Sequence, residues 1–175
     1  MICEKLQDIN YECIIINEPI KNSAIQYNYF YKLFYSTHIV SLTSIFILFE
    51  LNNLSFENDK IKFDKTLLNN NVFNKLIELE EHVLNLIRDA KIKLFKIKEL
   101  YENQFFKYAL CDDNDNLNNY NHLNDIKNKT FIIKISGIWE SKDSIGLTFK
   151  FIKVNRCIDF MHEEQELHLL KRILN

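Results

Sequence analysis

The stretch Lys129-Thr130-Phe131-Ile132-Ile133-Lys134-Ile135-Ser136-Gly137-Ile138-Trp139-Glu140, then Ser141-Lys142-Asp143-Ser144, then Ile145-Gly146-Leu147-Thr148-Phe149-Lys150-Phe151-Ile152-Lys153-Val154, decides the fold class. Two β-branched and aromatic arms of matched length flank four polar residues, which is the pattern of an antiparallel hairpin over 130–154. Upstream, Tyr11-Glu12-Cys13-Ile14-Ile15-Ile16 reads as a short strand stopped by Asn17-Glu18-Pro19. From Ile25 the odd positions run Ile25, Tyr27, Tyr29, Tyr31, Leu33, Tyr35, with Gln26, Asn28 and Lys32 between them. That alternation predicts a strand with one buried face. Ser36-Thr37-His38 turns it into the apolar run Ile39–Leu51, giving a second hairpin, and Leu54-Ser55-Phe56 with Ile61-Lys62-Phe63 forms a small third ribbon. Residues 8–63 thus read as a β-meander.

The middle of the chain changes period. Thr66 is placed to cap a helix, and Val72, Phe73, Leu76, Ile77, Leu79, Val83, Leu84, Leu86 and Ile87 recur at three- and four-residue steps. Ile97, Leu100, Tyr101, Phe105, Phe106 and Ala109 continue that spacing, so 66–110 reads as two helices broken near 90–96. The Asn- and Asp-rich segment 111–129 predicts a mobile surface loop. Ile158 to Leu174, acidic and then leucine-rich, reads as a terminal helix over 158–174. The expected fold is a single α+β domain spanning 1–175: an antiparallel β-sheet or OB-like barrel with a mid-chain helical insertion and a C-terminal helix.

Composition narrows the function. The chain has 175 residues, 47% hydrophobic, with 22 Lys+Arg against 24 Asp+Glu, which excludes a strongly basic chromatin-type binder and a disordered acidic chain. It holds 2 Gly and 1 Pro, where average usage gives roughly 12 and 9. Abundant Asn, Ile, Lys, Phe and Tyr beside scarce Gly and Pro point to an A/T-rich genome. Gly137 and Gly146 are therefore expected where a side chain does not fit. Cys3, Cys13, Cys111 and Cys157 are scattered and form no paired-ligand motif, which suits free thiols in a reducing compartment. The start Met1-Ile2-Cys3-Glu4-Lys5 has no apolar core behind it, and the 39–51 run is short of the ~20 residues of a membrane helix. A cytosolic or nuclear protein with no membrane partner is expected.

No phosphate-loop, dinucleotide or nucleophile-elbow motif is present. His162 and His168 are six positions apart and do not share one face of a helix, so they do not make the i, i+4 zinc pair. Asp112, Asp113 and Asp115 lack the glycine and terminal glutamate of a calcium loop. His38, His82 and His122 stand alone, and Cys157 has no partner base in the pattern. The chain reads as non-enzymatic, with no catalytic residue, no metal ligand and no cofactor.

Aromatic residues interleaved with lysine carry the binding expectation, because single-strand binders combine stacking platforms with a positive groove. The candidate nucleic-acid-binding residues are Trp139, Phe149, Lys134 and Lys150 in the hairpin, and Lys91, Lys93 and Lys96 in the densest basic stretch. The expected partner is single-stranded DNA or RNA. A second expectation is a structural or protein-interaction role, with Leu167, Leu170 and Leu174 entering a partner's groove.

Ile135-Ser136-Gly137-Ile138-Trp139-Glu140 with Ile145-Gly146-Leu147-Thr148-Phe149-Lys150-Phe151 resembles a segment of uncharacterised proteins from large nucleocytoplasmic DNA viruses. Asp8-Ile9-Asn10-Tyr11, Asn17-Glu18-Pro19-Ile20-Lys21-Asn22 and Tyr35-Ser36-Thr37 are similar to the same group. This resemblance implies a viral protein of the host cytoplasm or nucleus (a viral factory), not secreted, with viral proteins as further partners or as the virion setting of the second role. The hairpin also resembles a strand pair of phage-type OB-fold single-stranded DNA-binding proteins over about 20 residues. Those proteins commonly end in an acidic, aromatic-tipped tail, whereas this chain ends Lys171-Arg172-Ile173-Leu174-Asn175.

Overall fold

The computed structural model describes residues 2–21, 29–57, 60–88, 91–110 and 129–154. Of the loop expected over 111–129, residues 111–128 lie outside them and Lys129 already belongs to the hairpin's first arm; the helix expected over 158–174 also lies outside them. Among the described residues the hairpin is the spine: β11 (Lys129–Glu140) pairs with β12 (Ser144–Lys153) from Phe131↔Lys153 to Glu140↔Ile145. Its turn is closed by the Ser141 amide donating to the Ser144 carbonyl at 2.8 Å. Both arms are mostly buried, with Phe131, Ile133, Ile135, Ile138 and Ile145 fully inaccessible. β-branched and aromatic side chains fill that kind of pleated surface well.

Each arm carries two outer neighbours in succession. Along β11, β6 (Ile45–Leu51) pairs with Lys129–Ile135 and β4 (Tyr29–Ser36) with Gly137–Glu140, both antiparallel. The change of partner falls at Ser136, where the register of β11 against β12 shifts by one residue. Along β12, β9 (Ile92–Leu94) pairs with Ser144–Gly146 and β10 (Phe105–Leu110) with Phe151–Lys153, both parallel. β1 (Glu4–Lys5) extends the sheet beside β6, and β8 (Lys60–Phe63) with β7 (Leu54–Glu57) extends it beyond β10. β2 (Ile14–Ile16), β3 (Ile20–Lys21) and β5 (Ser41–Leu42) attach to β4.

This sheet is mixed and open. Among the described residues β1 and β7 sit at opposite ends of its strand order and do not pair, so the sheet is not closed into the expected OB-like barrel. The α+β class and the 54–63 ribbon follow the sequence reading; the second hairpin does so only at its tip. β4 meets β5 through Tyr35↔Leu42 and Ser36↔Ser41, a bend at Thr43-Ser44 breaks the apolar run, and β6 then joins β11 instead. The strand expected at 11–16 begins as a 3-10 turn over Tyr11–Cys13, capped by the Asn10 side chain accepting from Glu12 N–H.

Helix α1 (Leu67–Asn85) has Thr66 as its N-cap, the hydroxyl accepting from Asn69 N–H, as expected. Its apolar stripe of Val72, Phe73, Leu76, Leu79, Val83 and Leu84 is buried in one cluster with Ile47, Phe49, Phe131, Ile133 and Phe151. Phe73 stacks on Phe63 at 4.5 Å between centroids, and Phe106 sits 4.5 Å from Phe151 and 5.5 Å edge-on to Phe131. Asn69, fully buried, ties the first turn to the β6–β7 corner and to the end of β8, its amide donating to the carbonyls of Asn52 and Asp64, both at 2.8 Å.

The expected second helix is shorter than its spacing suggests. α2 covers Lys96–Asn103 and ends at Gln104 in the left-handed conformation (φ 58°). Phe105–Leu110 is strand β10 instead, with Phe106 buried and Lys107 and Ala109 exposed. Three apolar residues, Phe105, Phe106 and Ala109, satisfy a helical step and a strand alternation almost equally, and pairing with β8 and β12 decides for the strand. α2 has no capping side chain of its own. Glu80 of α1, fully buried, supplies the cap: its carboxylate accepts from Ile97 N–H at 3.0 Å and Lys98 N–H at 3.2 Å. Helix N-termini leave such amides unsatisfied and favour negative charge.

Burial raises the Glu80 carboxyl above its ordinary value, against the opposing effect of the backbone amides. A carboxyl raised in the folded state adds stability below its unfolded value, and that contribution is lost as pH rises through the folded one. Chemical denaturation across the acidic range is therefore expected to show the wild type losing stability relative to Glu80→Gln as pH rises through that window. Glu80→Ala is expected to cost about 2–3 kcal/mol at neutral pH, the scale of buried amides left unsatisfied.

Candidate nucleic-acid interface

Side chains alternate across a strand, so the register assigns the second face of the sheet, away from α1. Row by row across β4 or β6, β11 and β12 it reads Phe30, Trp139, Gly146; then Lys32, Gly137, Thr148; then Phe46, Lys134, Lys150; then Leu48, Ile132, Ile152. In the last row Leu48 is half-buried, while Ile132 and Ile152 are buried at 2% and 6% exposure, yet neither isoleucine belongs to the main core cluster. Lys32, Thr148 and Lys150 are exposed, while Phe30, Phe46, Lys134 and Trp139 are half-buried. The Lys134 ammonium lies 5.4 Å from the Phe46 ring centroid, a cation–π contact that holds it over the face.

Both glycines serve this face. A methyl group on Gly146 would lie 2.6 Å from the Trp139 indole, and one on Gly137 would lie 2.5 Å from the Phe30 ring and 2.3 Å from the Tyr31 carbonyl oxygen. The missing side chains let the two rings lie down over the neighbouring strands. This meets the expectation that neither position accepts a side chain.

The expected site residues separate into three places. Trp139, Lys134 and Lys150 come together on the second face. Phe149 has the parity of Leu147 and Phe151 and lies on the core side, half-buried, 5.7 Å from Phe151. Lys91, Lys93 and Lys96 belong to the connection from α1 through β9 into α2. The Lys91 ammonium pairs with the buried Glu140 carboxylate, which also accepts from the Tyr31 hydroxyl, and donates to the Ser141 carbonyl at 3.0 Å. Lys93 donates to Asn85 Oδ1, and Lys96 pairs with Glu99 at 2.6 Å. Lys32 and Phe46 are the members that residue-type reasoning missed, along with Phe30 as a site residue. Their signal was the alternation opposite Leu33 and Tyr35 in β4 and opposite Ile45 and Ile47 in β6.

No protein-family model, curated protein or solved structure matches this chain. Among the described residues no group of three or more His, Cys, Asp or Glu side chains is placed to hold a metal ion. His82 is stacked on Tyr11 at 4.7 Å, and Cys3 and Cys13 are separate, half-buried thiols. His122, His162, His168, Asp112, Asp113, Asp115, Cys111 and Cys157 lie outside the described residues. No described helix is long and apolar enough to cross a membrane, which says nothing of strands.

The two glycine seats make a testable contrast. Gly137→Ala drives a methyl group into backbone and is expected to destabilise by roughly 2–3 kcal/mol in urea titrations. Gly146→Ala meets only an indole, which swings aside, so it should cost less. Because the chain has one tryptophan, a shift of its emission at constant fold reports that displacement.

Proposed function

We propose that this chain binds single-stranded nucleic acid on the second face of its sheet, with bases stacking on Phe30 and Trp139 and phosphates drawn to Lys32, Lys134 and Lys150. The observation that carries the reading is two aromatic rings seated over glycines on the same face as three lysines. An unpaired base offers a flat π-surface to such a ring, and each stack is worth about 1–3 kcal/mol whatever the base. A duplex keeps its base faces inside its own stack, so the face favours single strands. The overall charge of -2 does not oppose this, because attraction at a Debye length of about 8 Å is set by the local lysines. The role is one of binding, with no bond made or broken.

Three phosphate contacts, at about 0.7 released counterions each, give an expected log–log salt slope near −2 for a short single-stranded oligonucleotide. Fluorescence anisotropy against salt measures it. Lys134→Gln with Lys150→Gln is expected to flatten the slope to about −0.7, and Lys62→Gln on the exposed side of β8 is expected to leave it unchanged. Absence of binding at low salt overturns the reading.

A further inference from the structure

The outer strand line along β12 has a gap. β9 ends opposite Gly146 and β10 begins its pairing at Phe151, so among the described residues none pairs as a strand with 147–150 on that side. The chain leaves the sheet after Leu94, runs through α2 and returns at Phe105. Its detour leaves a cavity of ≈ 570 Å³ at the sheet edge, within the 300–1,000 Å³ typical of small-ligand sites. Leu100, Trp139, Leu147 and Phe149 line it, and the Lys96–Glu99 ion pair lies on its α2 side. Trp139 therefore does two things: it covers Gly146 on the second face and walls this notch.

We infer that the notch holds one nucleobase of the bound strand, its ring against the Trp139 indole and its polar edge toward Glu99 and Lys96. The inference rests on the function proposed above and names where that strand is gripped. The rim chemistry selects the occupant. An ionised carboxylate only accepts and an ammonium only donates, and a base edge carries N–H donors beside oxygen or nitrogen acceptors. A ring N–H or exocyclic amine donates a hydrogen bond to the Glu99 carboxylate while a carbonyl or ring nitrogen accepts one from Lys96. An aliphatic side chain entering the same space covers one side of this ion pair and offers neither group a further hydrogen bond, which is less favourable. Lys150, exposed two residues along β12 from Thr148, continues the path toward the lysines of the second face.

The pair Lys96/Glu99 is electrically neutral and about half exposed, so its removal leaves the fold and the salt response untouched. The double variant Lys96→Ala/Glu99→Ala is expected to weaken binding of a short oligonucleotide about tenfold, the scale of hydrogen bonds to charged groups, with an unchanged salt slope. Nucleoside monophosphates are expected to quench the Trp139 emission in the wild type and to lose that effect in the double variant, while ribose phosphate quenches neither. Oligonucleotide binding with a normal salt slope, but equal affinity and equal quenching in the double variant, overturns the notch and leaves the binding face standing. Failure of the oligonucleotide to bind the wild type at low salt removes both.

Discussion

Side chains alternate across a β-strand, so one extra residue transfers every position beyond it to the other face. Ser136 is that residue in β11. Before it, Phe131, Ile133 and Ile135 face α1; after it, Ile138 and Glu140 do. Without the shift Trp139 would enter the core beside Ile135, and Ile138 would stand on the second face. The same position marks where β6 ends its pairing and β4 begins. One irregularity thus sets the partners of the central strand, the burial of its isoleucines and the side on which its tryptophan lies.

Two buried carboxylates organise what surrounds that strand. Glu80 reaches from α1 to the first amides of α2, so the short helix is held by its neighbour rather than by its own sequence. Glu140 closes the turn end of β11 by joining Tyr31 of β4 to Lys91, just ahead of β9. A buried charge is tolerated where partners surround it, and removing a partner is far more costly than the pair is stabilising. Both carboxylates hold chain connections beside β12, so the excursion through α2, and with it the notch at the sheet edge, depends on them.

Charge counting by segment misjudges this molecule. The lysines of 91–96 are the densest basic stretch, yet each is engaged locally, Lys91 most deeply. Lys32, Lys134 and Lys150 are far apart in sequence, and strand pairing gathers them on the face away from α1. The aromatic residues sort in the same way. Phe106, Phe131 and Phe151 build the core, while Phe30 and Trp139 lie over glycines on the opposite side.

Local pattern was enough for the spine hairpin, the small 54–63 ribbon, the Thr66 cap with the helix behind it, and the two glycines that accept no side chain. Each of these follows from alternation, helical spacing or steric demand within a few residues. It was not enough for Phe105–Leu110, where two periods fit equally and the neighbours β8 and β12 chose. Nor did it show that β6 bypasses β4 for β11, that the sheet stays open, or that Phe149 faces inward while Trp139 faces outward. Those outcomes depend on register between strands up to about a hundred residues apart and on a bulge that no single segment announces. The amino-acid order determined most of the elements; long-range pairing decided the strand at Phe105–Leu110 and which faces meet, and therefore where any binding surface lies.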